Sequence, residues 1–294
     1  MSTAAGTLAP RTQRLSAYLT LTKPEITFNV VMTALVGFLV ASRGSVHVRP
    51  LLDTLLGTAL VAAAASALNQ WVEREKDAVM RRTIRRPLPA GRLTPEESLV
   101  FALVLGVAGT ACLALLATPL ASALAAATAL SYLLVYTPMK RLTSLSTVVG
   151  AVPGAIPPMI GWAAARGRLD AGAWVLFLIL FFWQMPHFLA LAALYRRDYA
   201  RAGFRVLPVV DPDGASTARQ SVLYTLALLL VSLMPTFLGM AGRLYFFGAL
   251  VLGLAFTWYG VRLAVAPQDH VHASRLFRAS LLYLPALCVL MALG

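Results

Sequence analysis

The stretch Val61-Ala-Ala-Ala-Ala-Ser-Ala-Leu68-Asn69-Gln-Trp-Val-Glu73-Arg-Glu75-Lys-Asp77 passes from hydrocarbon into charge without a helix breaker. Its first half is built of small residues that let membrane helices approach closely. Its second half carries Asn69, Glu73 and Asp77, with Arg81 at the next step of four. Residues four apart on a helix follow one another by about one turn and share a face. The stretch therefore reads as a helix leaving a bilayer with polar groups arrayed on one side, since a solvated loop needs no such spacing.

Outward from it, the charge continues through Arg81-Arg82-Thr-Ile-Arg85-Arg86-Pro87 to Gly91-Arg92, so that three acids and seven cations lie between two long apolar runs. The whole chain is 59% hydrophobic with a mean hydropathy of +0.75, above the roughly 45–50% apolar content of soluble domains. Apolar runs of bilayer-spanning length recur near residues 25–41, 50–70, 97–116, 119–136, 144–164, 172–193, 219–239, 243–264 and 275–293. The fold class is an all-α polytopic membrane protein with nine transmembrane helices. Residues 1–24 form a polar N-terminal segment and 25–294 a single domain, for no low-complexity linker divides the chain. The N-terminal segment holds no short apolar region with a cleavage site, so no removable signal peptide is expected.

A net charge of +13 raises nucleic acid as a partner, but in a membrane protein its distribution speaks for orientation. With nine alternating spans, twenty of the twenty-five Lys and Arg fall on the side of the N-terminus. The positive-inside rule puts that side, with the charged loops, in the cytoplasm and the C-terminus outside. No nucleic acid partner is expected. Cys112 and Cys288 lie inside predicted spans and offer no metal or disulfide spacing; they read as small core hydrophobes.

Thr94-Pro95-Glu96-Glu97 announces the third span as a capping box. Gly150-Ala-Val-Pro153-Gly154-Ala-Ile-Pro157-Pro158 predicts a kinked or interrupted fifth helix. A bilayer tolerates a broken helix where protein or a water-lined cavity resatisfies its backbone, so this segment is expected to line a cavity, with packing alone as the competing explanation. Spans seven to nine carry no acids and read as structural closure.

None of the twelve acids falls at a predicted mid-membrane position, which argues against an ion-coupled transporter. Asn69, Glu73 and Asp77 instead offer oxygen ligands of the kind Mg²⁺ takes together with substrate phosphates. Arg82, Arg85 and Arg86 would neutralise a diphosphate's outer oxygens. A surface helix laced with Glu–Arg pairs explains the same residues, but Lys140 and a second Asp/Arg cluster at Asp198 on the same side favour a shared anionic site. His187, beside Pro186, is either a packed and hydrogen-bonded histidine or a contact for a cofactor-like substrate such as a haem iron.

At these residues the chain resembles the UbiA superfamily of intramembrane prenyltransferases. The carrying motifs are Asn69-x3-Glu73-x3-Asp77, Met80-Arg-Arg82-Thr83-x2-Arg86-Pro87-Leu-Pro-x-Gly91 and Tyr136-Thr-Pro-x-Lys140-Arg141. To these belong Gly154-Ala-Ile-Pro157-Pro158-x2-Gly161-Trp162, Trp183-Gln-x-Pro186-His187-Phe188 and Asp198-Tyr199-x-Arg201-Ala-Gly203-x3-Leu207-Pro208. The likeness covers about residues 15–290, and the Arg-Thr-x-x-Arg-Pro-Leu-Pro run with Pro-His-Phe points to the superfamily's haem branch. The resemblance implies nine helices around a central cavity in the inner membrane. It implies Mg²⁺-dependent ionisation of farnesyl diphosphate and transfer of the prenyl group to a vinyl carbon of haem B. Carried over by position, Asn69, Glu73, Asp77 and Asp198 would hold metal and act catalytically. Arg82, Arg86 and Lys140 would hold diphosphate, His187 would contact haem, and Arg85, Tyr136 and Tyr199 complete the substrate-binding set. Membrane lipid and oxidase-assembly proteins such as haem A synthase are the implied partners. Many superfamily members carry a second Asp-x3-Asp, whereas here Ala202 stands four residues after Asp198. That leaves the number of metals open. Asp211 and Asp213 read as parts of a turn. A quinone precursor or other aromatic acceptor is the competing substrate, and a transporter or non-enzymatic assembly factor the competing class.

Overall fold

The computed structural model describes residues 11–293, so residues 1–10 of the expected N-terminal segment lie outside the described residues. Among the described residues, nine helices are long and apolar enough to cross a bilayer: Pro24–Ser42, Val48–Val72, Pro95–Ala117, Pro119–Leu142, Ser146–Arg166, Ala171–Leu194, Ala215–Phe237, Arg243–Val265 and His270–Leu293. We number them as spans one to nine. Each expected run corresponds to one span, with ends displaced by up to six residues.

Local chemistry sets the span ends. Pro24, Pro95 and Pro119 occupy first turns, where a missing N–H is harmless. Thr94 and Glu97 form the reciprocal capping box, 3.2 Å from Glu97 N to Thr94 Oγ1 and 3.0 Å back from Thr94 N. Thr118 caps span four through Ala121 N. Spans three and four each contain a wider π-helical stretch, Leu113–Ala117 and Ser131–Tyr136. The second of these turns Tyr132 and Tyr136 onto the cavity.

Sequence reading left residues before Pro24 without structure, but Arg11–Leu21 is a helix. Ala17 and Leu21 are fully buried against Ala67, Leu93 and Ala102, and Gln70 Nε2 donates to Leu21 O at 2.7 Å. Arg14 pairs with Glu97 at the start of span three. The segment escaped notice because its apolar positions are few and the last backbone acceptor is satisfied by a residue forty-nine positions away.

Span five is broken as expected, into Ser146–Ala155 and Pro157–Arg166. Its second half lies against span one so closely that a Cβ on Gly161 would overlap Ala34 O, and one on Gly37 would overlap Pro158 O. Its first half lines an apolar cavity of about 260 Å³ through Gly150, Pro153 and Gly154. Spans one, two, four and six supply the remaining walls. Spans seven to nine pack outside this ring, with Leu228, Tyr245, Phe256, Leu276 and Tyr283 in one buried cluster with residues of spans five and six. Cys288 is half-buried at the edge of that cluster and Cys112 half-buried beside span two, so neither is a core residue in the full sense.

Candidate active site

The mouth of the cavity is built where span two ends. The helix proper closes at Val72, and Glu73 adopts a non-helical conformation before a single turn, Arg74–Asp77. The bonds Glu73 N to Asn69 O (2.9 Å) and Asp77 N to Glu73 O (2.8 Å) carry the four-residue register across the break. Asn69, Glu73 and Asp77 thus remain on one side. Arg81 does not join them: after Asp77 the chain turns, and Arg81 lies on a cleft beside the second loop. The single-face reading holds for three residues and fails for the fourth, because the loop up to Gly91 is a series of turns rather than a helix.

Each acid meets a cation. Lys140 Nζ stands 2.9 Å from Glu73 Oε1 and 3.1 Å from Oε2, with both residues buried. Arg86 grips Asp77 through both carboxylate oxygens at 2.8 and 2.7 Å, and Asp77 is fully buried. Asn69 donates to Glu73 Oε2 (3.1 Å) and Thr137 Oγ1 (3.3 Å) while Tyr132 OH donates to its Oδ1 (3.3 Å). Thr83 Oγ1 closes the loop on Asp77 O at 2.9 Å.

The second loop docks on the first. Arg82 N donates to Asp198 Oδ2 at 3.2 Å, and Asp198 also pairs with Arg201. Burial opposes the Asp198 charge, but the Arg201 bond and the Arg82 N–H hold its carboxyl below the usual range. Arg82 lies over the Tyr195 and Tyr199 rings and donates to Tyr199 OH at 3.4 Å. Met80, Ala202 and Phe204 form a small buried cluster against Tyr199. Lys140 Nζ faces the Tyr136 ring at 4.5 Å and the Phe204 ring at 5.7 Å, while its carbonyl accepts from Arg205 N at 2.7 Å.

Two expected residues stand apart. Arg85 is exposed, and it is its carbonyl that is used, by Arg92 Nη2 at 2.7 Å. His187 turns away from the apolar cavity, which Gln184 and Phe188 of the same helix line. Its Nδ1 meets Ser280 Oγ at 2.8 Å, and its ring lies against Trp183 and Phe277. Asp211 takes no part either: it accepts from Thr217 N and Oγ1, both at 2.7 Å, fixing the start of span seven.

Sequence reasoning missed Lys23, Tyr132, Thr137 and Gln184. Lys23 is half-buried at the cavity wall in a left-handed conformation (φ 47°). Burial, with the neighbouring Arg86 and Lys140 charges, lowers its amine to about 7. Its signal was present in Lys23-Pro24, a cation immediately before a span, which reads first as a membrane-edge anchor.

Whether these residues suit Mg²⁺ is decided by donor chemistry. Glu73 and Asp77 offer carboxylate oxygens and Asn69 its amide Oδ1, the kind of donor a hard cation takes. Among the described residues no three acids, histidines or cysteines converge into a ready metal cage. Mg²⁺ in phosphate-transfer sites is commonly held by one or two carboxylates and completed by substrate phosphates. The residues fit on those terms: with a cation on the carboxylates, Lys140 and Arg86 would be free to meet phosphate oxygens.

Comparison with known proteins follows the same lines. The UbiA prenyltransferase family model matches residues 30–282. The chain is 49% identical to protoheme IX farnesyltransferase of Solibacter usitatus (strain Ellin6076), over 94% of this chain and 97% of that one. It is 44% identical to the protein of the same name from Koribacter versatilis (strain Ellin345), over 95% and 93%. Among solved structures, one concerned with digeranylgeranylglyceryl phosphate synthase aligns with a TM-score of 0.80 at 17% identity, over 96% of this chain and 98% of that chain. A UbiA homolog from Archaeoglobus fulgidus bound to DMAPP and Mg²⁺ aligns with a TM-score of 0.67 at 15% identity, over 94% and 99%. At these identities the solved structures speak for the fold.

Proposed function

The chain belongs to the UbiA prenyltransferase family, and from that premise we propose that it transfers the farnesyl group of farnesyl diphosphate to a vinyl carbon of haem B. Pyrophosphate leaves, water adds with loss of a proton to the cation that the vinyl attack creates, and the product is a hydroxyethylfarnesyl haem (haem O). The observation that carries this reading is the contact of the acid–cation cluster with the apolar cavity through Tyr132 and Tyr136, which line the cavity and touch Asn69 and Lys140. A diphosphate head at Asn69, Glu73, Asp77, Lys140 and Arg86 has its hydrocarbon tail directed between spans one, two, four and five. The names of the nearly full-length relatives support haem as the acceptor.

Asn69, Glu73, Asp77 and, from the second loop, Asp198 are the residues that would hold Mg²⁺, which supplies charge neutralisation to the departing diphosphate. Lys140, Arg86 and Arg82 bind its outer oxygens, and their charge is worth most as the allylic C–O bond breaks and negative charge collects on the leaving group. The Tyr136 and Tyr132 rings line the cavity beside this point and offer π-faces to the allylic cation. The apolar walls exclude water that would quench that cation before the vinyl group attacks. His187 contacts the haem from the outer side of span six. The loops face the cytoplasm of a bacterial inner membrane, as the cation distribution favours.

The test is a reconstitution. Purified protein in detergent with haem B, farnesyl diphosphate and Mg²⁺ is expected to yield a pigment whose mass has gained a farnesyl and a hydroxyl group. Unaltered haem, with prenylation of an aromatic acid in its place, would overturn the reading.

A further inference from the structure

The apolar cavity is not equally open along its length. Span two is one unbroken helix from Val48 to Val72, so Asn69 and Thr58, about three turns apart on it, share a face. The cavity residues between them, Ala62, Ala65 and Ser66, are small and leave a channel beside the helix. From the level of Asn69 down to Thr58 that channel is about 16 Å deep, at the rise of an α-helix. At its shallow end Ile26 and Phe188 are 54% and 36% exposed. At its deep end Thr58, Val61, Ala125 and Ile160 line the wall and all are buried. The channel is blind there.

Two β-branched side chains set among alanines close it. Val61 of span two and Ile160 of span five belong to one buried cluster with Leu113, Ala121, Ala125 and Ala163. Val61 rests against span three where that helix has Gly109, on which a Cβ would lie 2.8 Å from Val61 Cγ2. Beneath Ile160, about one helical turn deeper, Ala121 and Ala163 end in methyl groups. The Ile160 side chain is therefore what stops the channel on that side. Thr118 Oγ1 donates to Ala163 O at 3.2 Å, which ties the start of span four to the end of span five under the floor.

We infer that Val61 and Ile160 set the length of the prenyl donor. This rests on the reading above that the cavity takes the hydrocarbon tail, and adds what limits that tail. With the diphosphate at the acid–cation cluster, an extended chain of three isoprene units reaches the floor. A fourth unit meets Ile160 among buried neighbours and has no opening beside it. A chain of two units leaves the deep end empty and forfeits burial against its apolar walls. The longer donor is thus rejected by a clash and the shorter one by missing contact, the two routes to specificity. Ala129 lines the cavity between Tyr132 at the head and Ala125 at the floor, and marks the intermediate level.

The experiment is a calorimetric titration of the full chain in detergent with geranyl, farnesyl and geranylgeranyl diphosphates and Mg²⁺, without acceptor. The wild type should favour farnesyl over each of the others by about 10-fold or more, the worth of a misfitted alkyl group in an apolar pocket. Ile160→Ala should bring geranylgeranyl diphosphate up about 10-fold relative to farnesyl. Ala129→Leu fills the channel and leaves the floor packed, so it answers even where Ile160→Ala fails to fold. It should cost farnesyl diphosphate about 10-fold relative to geranyl. A wild type that binds the three donors alike, or an Ala129→Leu chain that keeps the wild-type ranking, would overturn the proposal. So would a folded Ile160→Ala chain that still rejects geranylgeranyl diphosphate. A wild type that ranks the donors as expected yet farnesylates no haem keeps the floor and sinks the acceptor reading. One that farnesylates haem but binds all three donors alike sinks the floor alone.

Discussion

Lys140 and Glu73 meet across sixty-seven residues of sequence, Nζ to Oε1 at 2.9 Å, with under a tenth of either residue exposed. Removing one partner of a buried pair strands the other charge, at a cost of about 3–5 kcal/mol, whereas replacing both with uncharged groups is often nearly neutral. Glu73→Gln should therefore lower the unfolding midpoint in detergent markedly. Adding Lys140→Met to it should restore most of the stability and none of the turnover. If Glu73→Gln unfolds with the wild type, the pair has no structural weight.

Asp77 carries the sharper catalytic expectation. It is fully buried, with both carboxylate oxygens accepting from Arg86 Nη1, so Asp77→Asn keeps the shape and removes the charge a cation would use. Turnover should fall about 100- to 1000-fold, the usual effect of losing one preorganised group at a developing charge. The stabilisation of the protein by Mg²⁺ with farnesyl diphosphate should fall with it, as read by a thermal-shift titration. Undiminished product formation in Asp77→Asn would remove the metal assignment.

Much of this was legible from residues alone, for identifiable reasons. Span length and hydropathy are local properties, so nine helices could be counted, and Pro153 and Pro157 dictate a break in span five wherever it packs. The Asn69–Glu73–Asp77 register survived because two i to i+4 bonds bridge the kink at Glu73. What sequence spacing could not supply was direction. Arg81 obeys the same interval yet lies on another surface, and His187 and Phe188, adjacent in sequence, face different neighbours. The helix Arg11–Leu21 was invisible because its hydrogen-bond partner and its apolar floor come from distant spans.

The contact between spans one and five gives a packing test. A Cβ at Gly161 would overlap the Ala34 carbonyl, which is backbone and has little freedom to move. Gly161→Ala should cost about 1–3 kcal/mol, as overpacking does. Gly106→Ala is the control, for its nearest neighbour would be Ala64 Cβ at 3.5 Å, an ordinary contact. There alanine's helix preference should leave stability level or raised by up to about 1 kcal/mol. Equal unfolding midpoints for the two variants would refute the close approach.

Lys23 makes the site sensitive to pH, and the sign can be worked out. Its amine is lowered to about 7 by burial and by the Arg86 and Lys140 charges, against 10.5 for the free side chain. Between those values the unfolded chain binds more protons than the folded one, so this residue's contribution to stability increases as pH rises through that window. Ligand binding runs the other way. A diphosphate arriving at the cavity mouth favours the ammonium form, so above pH 7 it must bring a proton with it. Its affinity should weaken with rising pH, by at most about tenfold per unit for one proton. In Lys23→Met that component disappears, leaving only the titrations of the diphosphate and the remaining groups. The measurement is farnesyl diphosphate affinity from pH 6 to 9 (roughly the window set by the shift) for both chains, and superimposable profiles would show that Lys23 takes up no proton on binding.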